Sequence, residues 1–211
     1  MAGPDTPVHA GKPREPLVAL TFDDGPGDWT ETILDLLGTH GARATLFVLG
    51  GSIEGREDVL NRAAGSGHEL GNHTWSHRHP AELTDDELRG ELVRTGRRIE
   101  EVAHVRPRLV RPPYGEDAER VARVAGSLRL GPTVLWSVDP LDWQEPPAEV
   151  IVERTLAGVG PGAIVDLHDG FSAGRERGAE PSTVEALRVL LPTLAERGLA
   201  CVTVSRLLAA V

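Results

Sequence analysis

Residues 17–26 read LVALTFDDGP: an apolar run, two adjacent carboxylates, and a Gly-Pro turn. A continuous apolar run of this length, bounded by turn residues, is the signature of a strand buried on both faces, as in a parallel sheet. Asp23 and Asp24 repel each other beside an apolar core, which costs stability unless a cation offsets the repulsion. Gly25-Pro26 imposes a sharp turn that displays both carboxylates at the strand end. Taken alone, this cluster is more simply an Asp-rich turn or helix cap, because Asp and Gly are common turn residues.

The same punctuation recurs along the chain. Apolar runs at 44–48, 68–73, 109–111, 134–138, 163–168 and 200–204 read as further strands. Helical spacing lies between them at 30–37, 83–102, 118–125, 148–157 and 182–197. The second helix opens on Thr84 with Glu87 in capping-box spacing. The last opens on Ser182 with Glu185 in the same spacing, carries Pro192, where a kink is expected, and stops at Gly198. Strands alternating with helices imply a parallel α/β sheet with right-handed crossovers. About seven such units in a chain of this size predict a distorted (β/α) barrel, TIM-barrel-like, with an open doubly wound sheet as the alternative. Residues 1–16, polar and rich in Pro and Gly, are expected to form a flexible segment ahead of one domain over 17–211.

Composition narrows the function classes. Asp and Glu (32) outnumber Lys and Arg (22), for a formal charge of -10. That balance argues against nucleic acid as the main partner, because phosphate binding needs basic surface. The single cysteine, Cys201, excludes an intramolecular disulfide; in its apolar surroundings it reads as a small buried hydrophobe. Neither a signal-peptide-like stretch nor a bilayer-length apolar run is present, so the chain as written is expected to be cytoplasmic, with a processed, secreted original as the alternative. No membrane partner is expected, and the chain is expected to be a monomer.

Unusual polar residues fall at the carboxyl ends of the predicted strands, the face on which barrel active sites are built. After 68–73 comes NHTWSH, with His73 and His77 four apart; on a helical turn both would reach one cation. By itself this is equally a polar surface turn, and His79 reads as a surface residue. Two His and one Asp would leave open positions for water, the arrangement of a catalytic rather than a structural metal site. After 109–111 comes RPPYG, where a stiff loop leaves Arg111 free to hold a carboxylate ionised. DPLDW (139–143) follows 134–138. LHD (167–169) ends 163–168 and puts His168, a candidate general acid, near carboxylates. Each alone is more often structural; five on one predicted face are not.

The set TFDDGP, HTWSH, RPPYG, DPLDW and LHD, in this order from about Leu17 to Val204, resembles the polysaccharide deacetylase (NodB-homology, carbohydrate esterase) superfamily. The resemblance implies a distorted (β/α) barrel and metal-dependent deacetylation of N-acetylated sugars. It implies that Asp24, His73 and His77 bind a divalent metal, usually zinc, with cobalt or nickel possible. Asp23 would be the general base, oriented by Arg111, and His168 the general acid, tuned by Asp142. The Tyr114 backbone N–H would stabilise the oxyanion, and Trp143 would wall the acetyl pocket. The implied partner is a carbohydrate or an acetylated small molecule.

One position departs from the pattern. The family commonly has an apolar residue, usually Leu, two places before the acid histidine, lining the acetyl pocket; here it is Asp166. A carboxylate facing a methyl group is costly unless paired or solvated. Either Leu167 fills the pocket, or Asp166 points away, or the acyl group or substrate differs. The rival functions are a deacylase of a cytoplasmic small-molecule amide or acetamido sugar, an O-acetyl esterase on acetylxylan, and a non-catalytic sugar-binding barrel.

Overall fold

The computed structural model describes residues 6–170 and 180–210. Its centre is β1 (Leu17–Asp23), every residue of which is buried. On one side β1 pairs with β2 (Ala44–Val48), which pairs with β3 (Glu69–Asn72); on the other it pairs with β4 (Ile164–His168). The short β5 (Ala200–Cys201) joins the start of β1, and all of these pairs are parallel. Helices α1 (Thr30–Thr39), α2 (Glu57–Gly65), α3 (Asp85–Ala103), α4 (Ala118–Ser127), α5 (Ala148–Gly158), α6 (Ser182–Glu196) and α7 (Val204–Ala209) complete the chain.

Two expected strands, 109–111 and 134–138, shrink to single bridges, Asn72–Val110, Val110–Thr133 and Val138–Val165. Pro107, Pro112, Pro113 and Pro132 flank them and have no N–H to extend a ladder. The backbone bonds that remain still carry the ring onward. Arg111 N donates to Asn72 O (3.0 Å), Val134 N to Val110 O (2.8 Å) and Asp166 N to Val138 O (2.9 Å). The ladder therefore runs from β3 through Val110 and the 133–138 segment back to β4, and the α/β fold class read from the sequence is borne out.

Side chains alternate between two cores because the strand period is two. Val18, Leu20 and Phe22 of β1 and Val165 and Leu167 of β4 face the helices, packing against Leu34, Leu187 and Leu190. Leu17, Ala19, Phe47, Leu109, Val134 and Ile164 face inward, with Val204 and Leu207 of α7 among them. Further along the same inward face the residues become polar, Thr21 then Asp23 on β1 and Asp166 then His168 on β4.

Several local expectations are corrected. Residues 1–5 lie outside the described residues, but the rest of the expected flexible segment is tied down. Val8 N donates to Thr133 O (2.8 Å), Leu135 N to Val8 O (2.7 Å) and Gly11 N to Gly162 O (2.8 Å). The run at 200–204 gives a two-residue strand and then α7, capped by the Thr203 side chain. Thr84 forms its capping box with Glu87. Ser182 does not form one: it is the first helical residue, Pro181 precedes it, and α6 continues through Pro192.

Candidate active site

Arg111 organises the polar end of the inward face. It is fully buried, yet its Nη1 donates to Thr21 Oγ1 (2.8 Å), Asp23 Oδ1 (2.8 Å) and Asp166 Oδ1 (2.6 Å). Its Nε and Nη2 donate to the carbonyls of Val134 and Leu135, both at 3.2 Å, and its guanidinium carbon lies 4.2 Å from the centre of the Phe47 ring. One guanidinium thus faces two buried carboxyls. Burial, and next the charge of Asp23, push Asp166 well above the usual carboxylate range. Asp166 therefore does not point away, as one reading of the sequence had it; it belongs to the same cluster as Asp23.

Asp24 leaves β1 with a left-handed backbone (φ 74°) that turns its carboxylate from the barrel interior toward the 73–77 loop. That loop is not the helical turn expected from i,i+4 spacing. It is irregular, with Thr74 at φ 71° and His77 at φ 55°, and its two imidazole centroids are 5.1 Å apart. Glu91 of α3 secures it, accepting from the backbone N–H of Trp75 (2.9 Å) and Ser76 (2.8 Å) and from the Ser76 hydroxyl (2.9 Å). Asn72 accepts from Thr74 N (3.0 Å) and donates to Leu92 O (2.8 Å).

The outcome is a ligand set. Asp24 Oδ1 lies 3.5 Å from His73 Nε2 and 3.3 Å from His77 Nε2, and one donor atom from each residue falls within 4.8 Å of the others. His73 Nδ1 lies 2.8 Å from Arg111 O; as the donor of that bond it leaves the Nε2 lone pair facing Asp24. Burial lowers the pKa of both imidazoles and raises that of Asp24. Asp24 Oδ1 is a buried oxygen without a hydrogen-bond partner. An orphaned carboxylate oxygen facing two neutral imidazole nitrogens is costly as it stands and is satisfied by a divalent cation, so these residues fit a metal.

Across the cluster, His168 Nδ1 lies 2.8 Å from Asp142 Oδ1, and His168 N donates to Asp142 Oδ2 (2.9 Å). Thr183 of α6 donates its hydroxyl to the same Oδ2 (2.8 Å). Burial alone would lower the pKa of His168, but the charge and hydrogen bond of Asp142 outweigh it and hold it well above the usual imidazole value. With Nδ1 occupied, the other ring nitrogen is the one left to face substrate. Asp23, Asp166 and His168 also fall within 4.8 Å of one another. Arg111 already supplies positive charge there, so this second cluster has no need of a cation.

Tyr114, at φ 60°, places its ring 4.5 Å from His77 and stacks on His79 at 3.9 Å. His79 is therefore partnered, by Tyr114 and by Glu116 (3.0 Å), although it lies at the surface as expected. Tyr114 and Trp143 are about half exposed, at 51% and 49%. Leu167 corrects an expectation. It is fully buried among the helix-facing residues, because alternation along β4 sends Asp166 and His168 one way and Leu167 the other. Glu91 and Thr183 take part but belong to no motif, and Thr21, within TFDDGP, has no role assigned from the sequence.

The family model described as polysaccharide deacetylase matches residues 10–132. A chitooligosaccharide deacetylase of Bradyrhizobium sp. (strain ANU 289) is 38% identical over 188 residues, covering 86% of this chain and 85% of the relative. Among solved structures, the Bc1960 peptidoglycan N-acetylglucosamine deacetylase superposes with a TM-score of 0.87 at 34% identity, over 97% of this chain and 93% of that one. BA3943 of Bacillus anthracis, a CE4 family pseudoenzyme, superposes at 0.88 with 30% identity, over 99% of this chain and 70% of its own. Likeness to a pseudoenzyme means that the fold alone does not decide activity; the side chains must.

Proposed function

The chain belongs to the polysaccharide deacetylase family, and on that premise we propose that it is a metal-dependent hydrolase removing acetyl groups from N-acetylglucosamine-containing glycans or oligosaccharides. The observation that supports this most directly is the orphaned Asp24 Oδ1 beside His73 and His77, one residue from an Arg111-held Asp23. A divalent cation held by Asp24, His73 and His77, with zinc favoured by the donor set, would polarise the amide carbonyl and acidify the attacking water.

The remaining chemistry belongs to the chain. Asp23, fixed by Arg111, accepts the proton of the attacking water. His168 delivers a proton to the amide nitrogen, so that the C–N bond breaks to a neutral amine. Asp142 keeps His168 charged and aims its free nitrogen. Proton transfers of this kind contribute roughly 10²–10⁴-fold each. The Tyr114 backbone N–H is the proposed oxyanion donor and the half-exposed Trp143 ring the proposed wall of the acetyl pocket. The acidic balance of the sequence places no obstacle before a neutral glycan. Acetate release from N-acetylated chitooligosaccharides, lost with chelator and restored by zinc, is the expected result. Metal binding with no acetate from any acetylated sugar would align the chain with the pseudoenzyme instead.

A further inference from the structure

Asp166 lies one strand step below the Asp23–His168 pair on the inward face. In the register of β1 and β4, Asp23 stands beside His168 and Thr21 beside Asp166, all on the inward face. If Asp23 and His168 serve the attacking water and the leaving nitrogen, the carbonyl carbon sits between them, an assignment that rests on the function proposed above. The sugar ring must lie toward solvent, because the buried Thr21, Arg111 and inward core leave no room for a group of that size in the other direction. The acyl tail is then the part that turns inward, and the first side chain below the Asp23–His168 pair is Asp166. One of its oxygens, Oδ1, accepts from Arg111; the other takes no hydrogen bond from the described residues.

A methyl group set against that oxygen would desolvate it and return nothing. A hydroxymethyl group, larger by one oxygen, would form a hydrogen bond with it. We infer that Asp166 is a specificity-determining residue that favours α-hydroxyacyl amides, N-glycolyl rather than N-acetyl glucosamine units, as substrates. Pairing Arg111 would explain a carboxyl at this position, but Asp23 already meets that need, and a purely structural partner would not alter the ranking of acyl groups.

The test is competition between N-glycolyl and N-acetyl chitooligosaccharides of equal length, with zinc-loaded wild type and Asp166→Leu, reading glycolate and acetate release together. Wild type is expected to favour glycolyl in kcat/KM by about tenfold or more, since a site built to pair a hydroxyl discriminates against the analogue lacking it. Asp166→Leu is expected to bring the ratio to one or below. Should the leucine variant not fold, Asp166→Ala removes the carboxyl without added bulk and is expected to do the same. Acetate released as fast as glycolate by wild type, or a ratio that neither variant moves, overturns the inference while leaving the hydrolase reading intact. No acid from either substrate sinks that reading and this inference with it.

Discussion

Replacing Asp142 with Asn tests the acid half of the site with almost no change in volume. Asp142 is buried, and both of its oxygens are committed: Oδ1 to the His168 ring, Oδ2 to His168 N and the Thr183 hydroxyl. The amide can keep the bond to the ring through its oxygen, but its NH₂ must then face the His168 N–H, two donors meeting. The charge that opposes the burial of protonated His168 is lost as well. A hydrogen bond to a charged group is worth about 1.5–3 kcal/mol, which amounts to roughly 10–100-fold in the balance between protonated and neutral His168. A folded pKa that is raised favours the protonated ring, so weakening Asp142 must move the basic limb of the kcat/KM profile to lower pH. We expect that shift, with a loss of roughly 10–100-fold above neutrality and metal content unchanged. The assay is acetate release from pH 5 to 9 with metal analysis on the same samples. A basic limb that stays in place refutes the assignment of His168 as the acid governed by Asp142.

Four more outcomes can be measured. Asp23→Asn should keep its metal and lose turnover by roughly 10²–10⁴-fold; near wild-type rates would remove Asp23 from the base role. His77→Ala removes a direct ligand and should weaken metal affinity by more than the roughly 10–100-fold typical of an outer partner; unchanged zinc titration would disprove the site. Arg111→Met leaves Asp23 buried without its cation and should cost about 3–5 kcal/mol in urea unfolding; an unchanged urea midpoint would show that the guanidinium does not hold the site together. Burial, with the charges of Asp24 and Asp23, raises Asp169 to about 7 against the bond from Thr30. A raised acid pKa makes the folded state hold the extra proton, so metal-free protein should lose about 1.4 kcal/mol per pH unit from about 4 to about 7, relative to Asp169→Asn. Parallel urea midpoints for the two proteins at pH 5 and 7.5 would contradict this.

The elements that the sequence made legible are those buried on both faces or capped by their own side chains. β1 and β2 are continuous apolar runs, and α3 announces itself through Thr84 and Glu87. What escaped was structure decided by distant partners. Only Leu60 and Ala63 of α2 are buried, too few to make a stripe, and the proline-flanked runs at 109–111 and 134–138 keep ring contacts without becoming strands. The N-terminal segment looked loose because its order comes from the backbone of residues 133–135 and 162, which composition does not record.

The site divides along the same line. Asp24, His73, His77, Asp23, Arg111, Asp142 and His168 were legible because each ends or follows an apolar run that reads as a strand, and the ring of strands and bridges gathers the ends of those runs. Their supports were not: Glu91 is 15 residues from Ser76, and Thr183 is 41 from Asp142, on helices whose visible pattern is only the face they bury. Asp166 and Leu167 show the limit most sharply. Both were suspected of lining the pocket, and adjacency in sequence could not separate them. The strand period does, because Arg111 fixes Asp166 inward and one step along β4 must then send Leu167 to the helices. A residue that breaks the family pattern on the inward face is therefore held by the same guanidinium that holds Asp23, and any substitution made there must also be felt at Asp23.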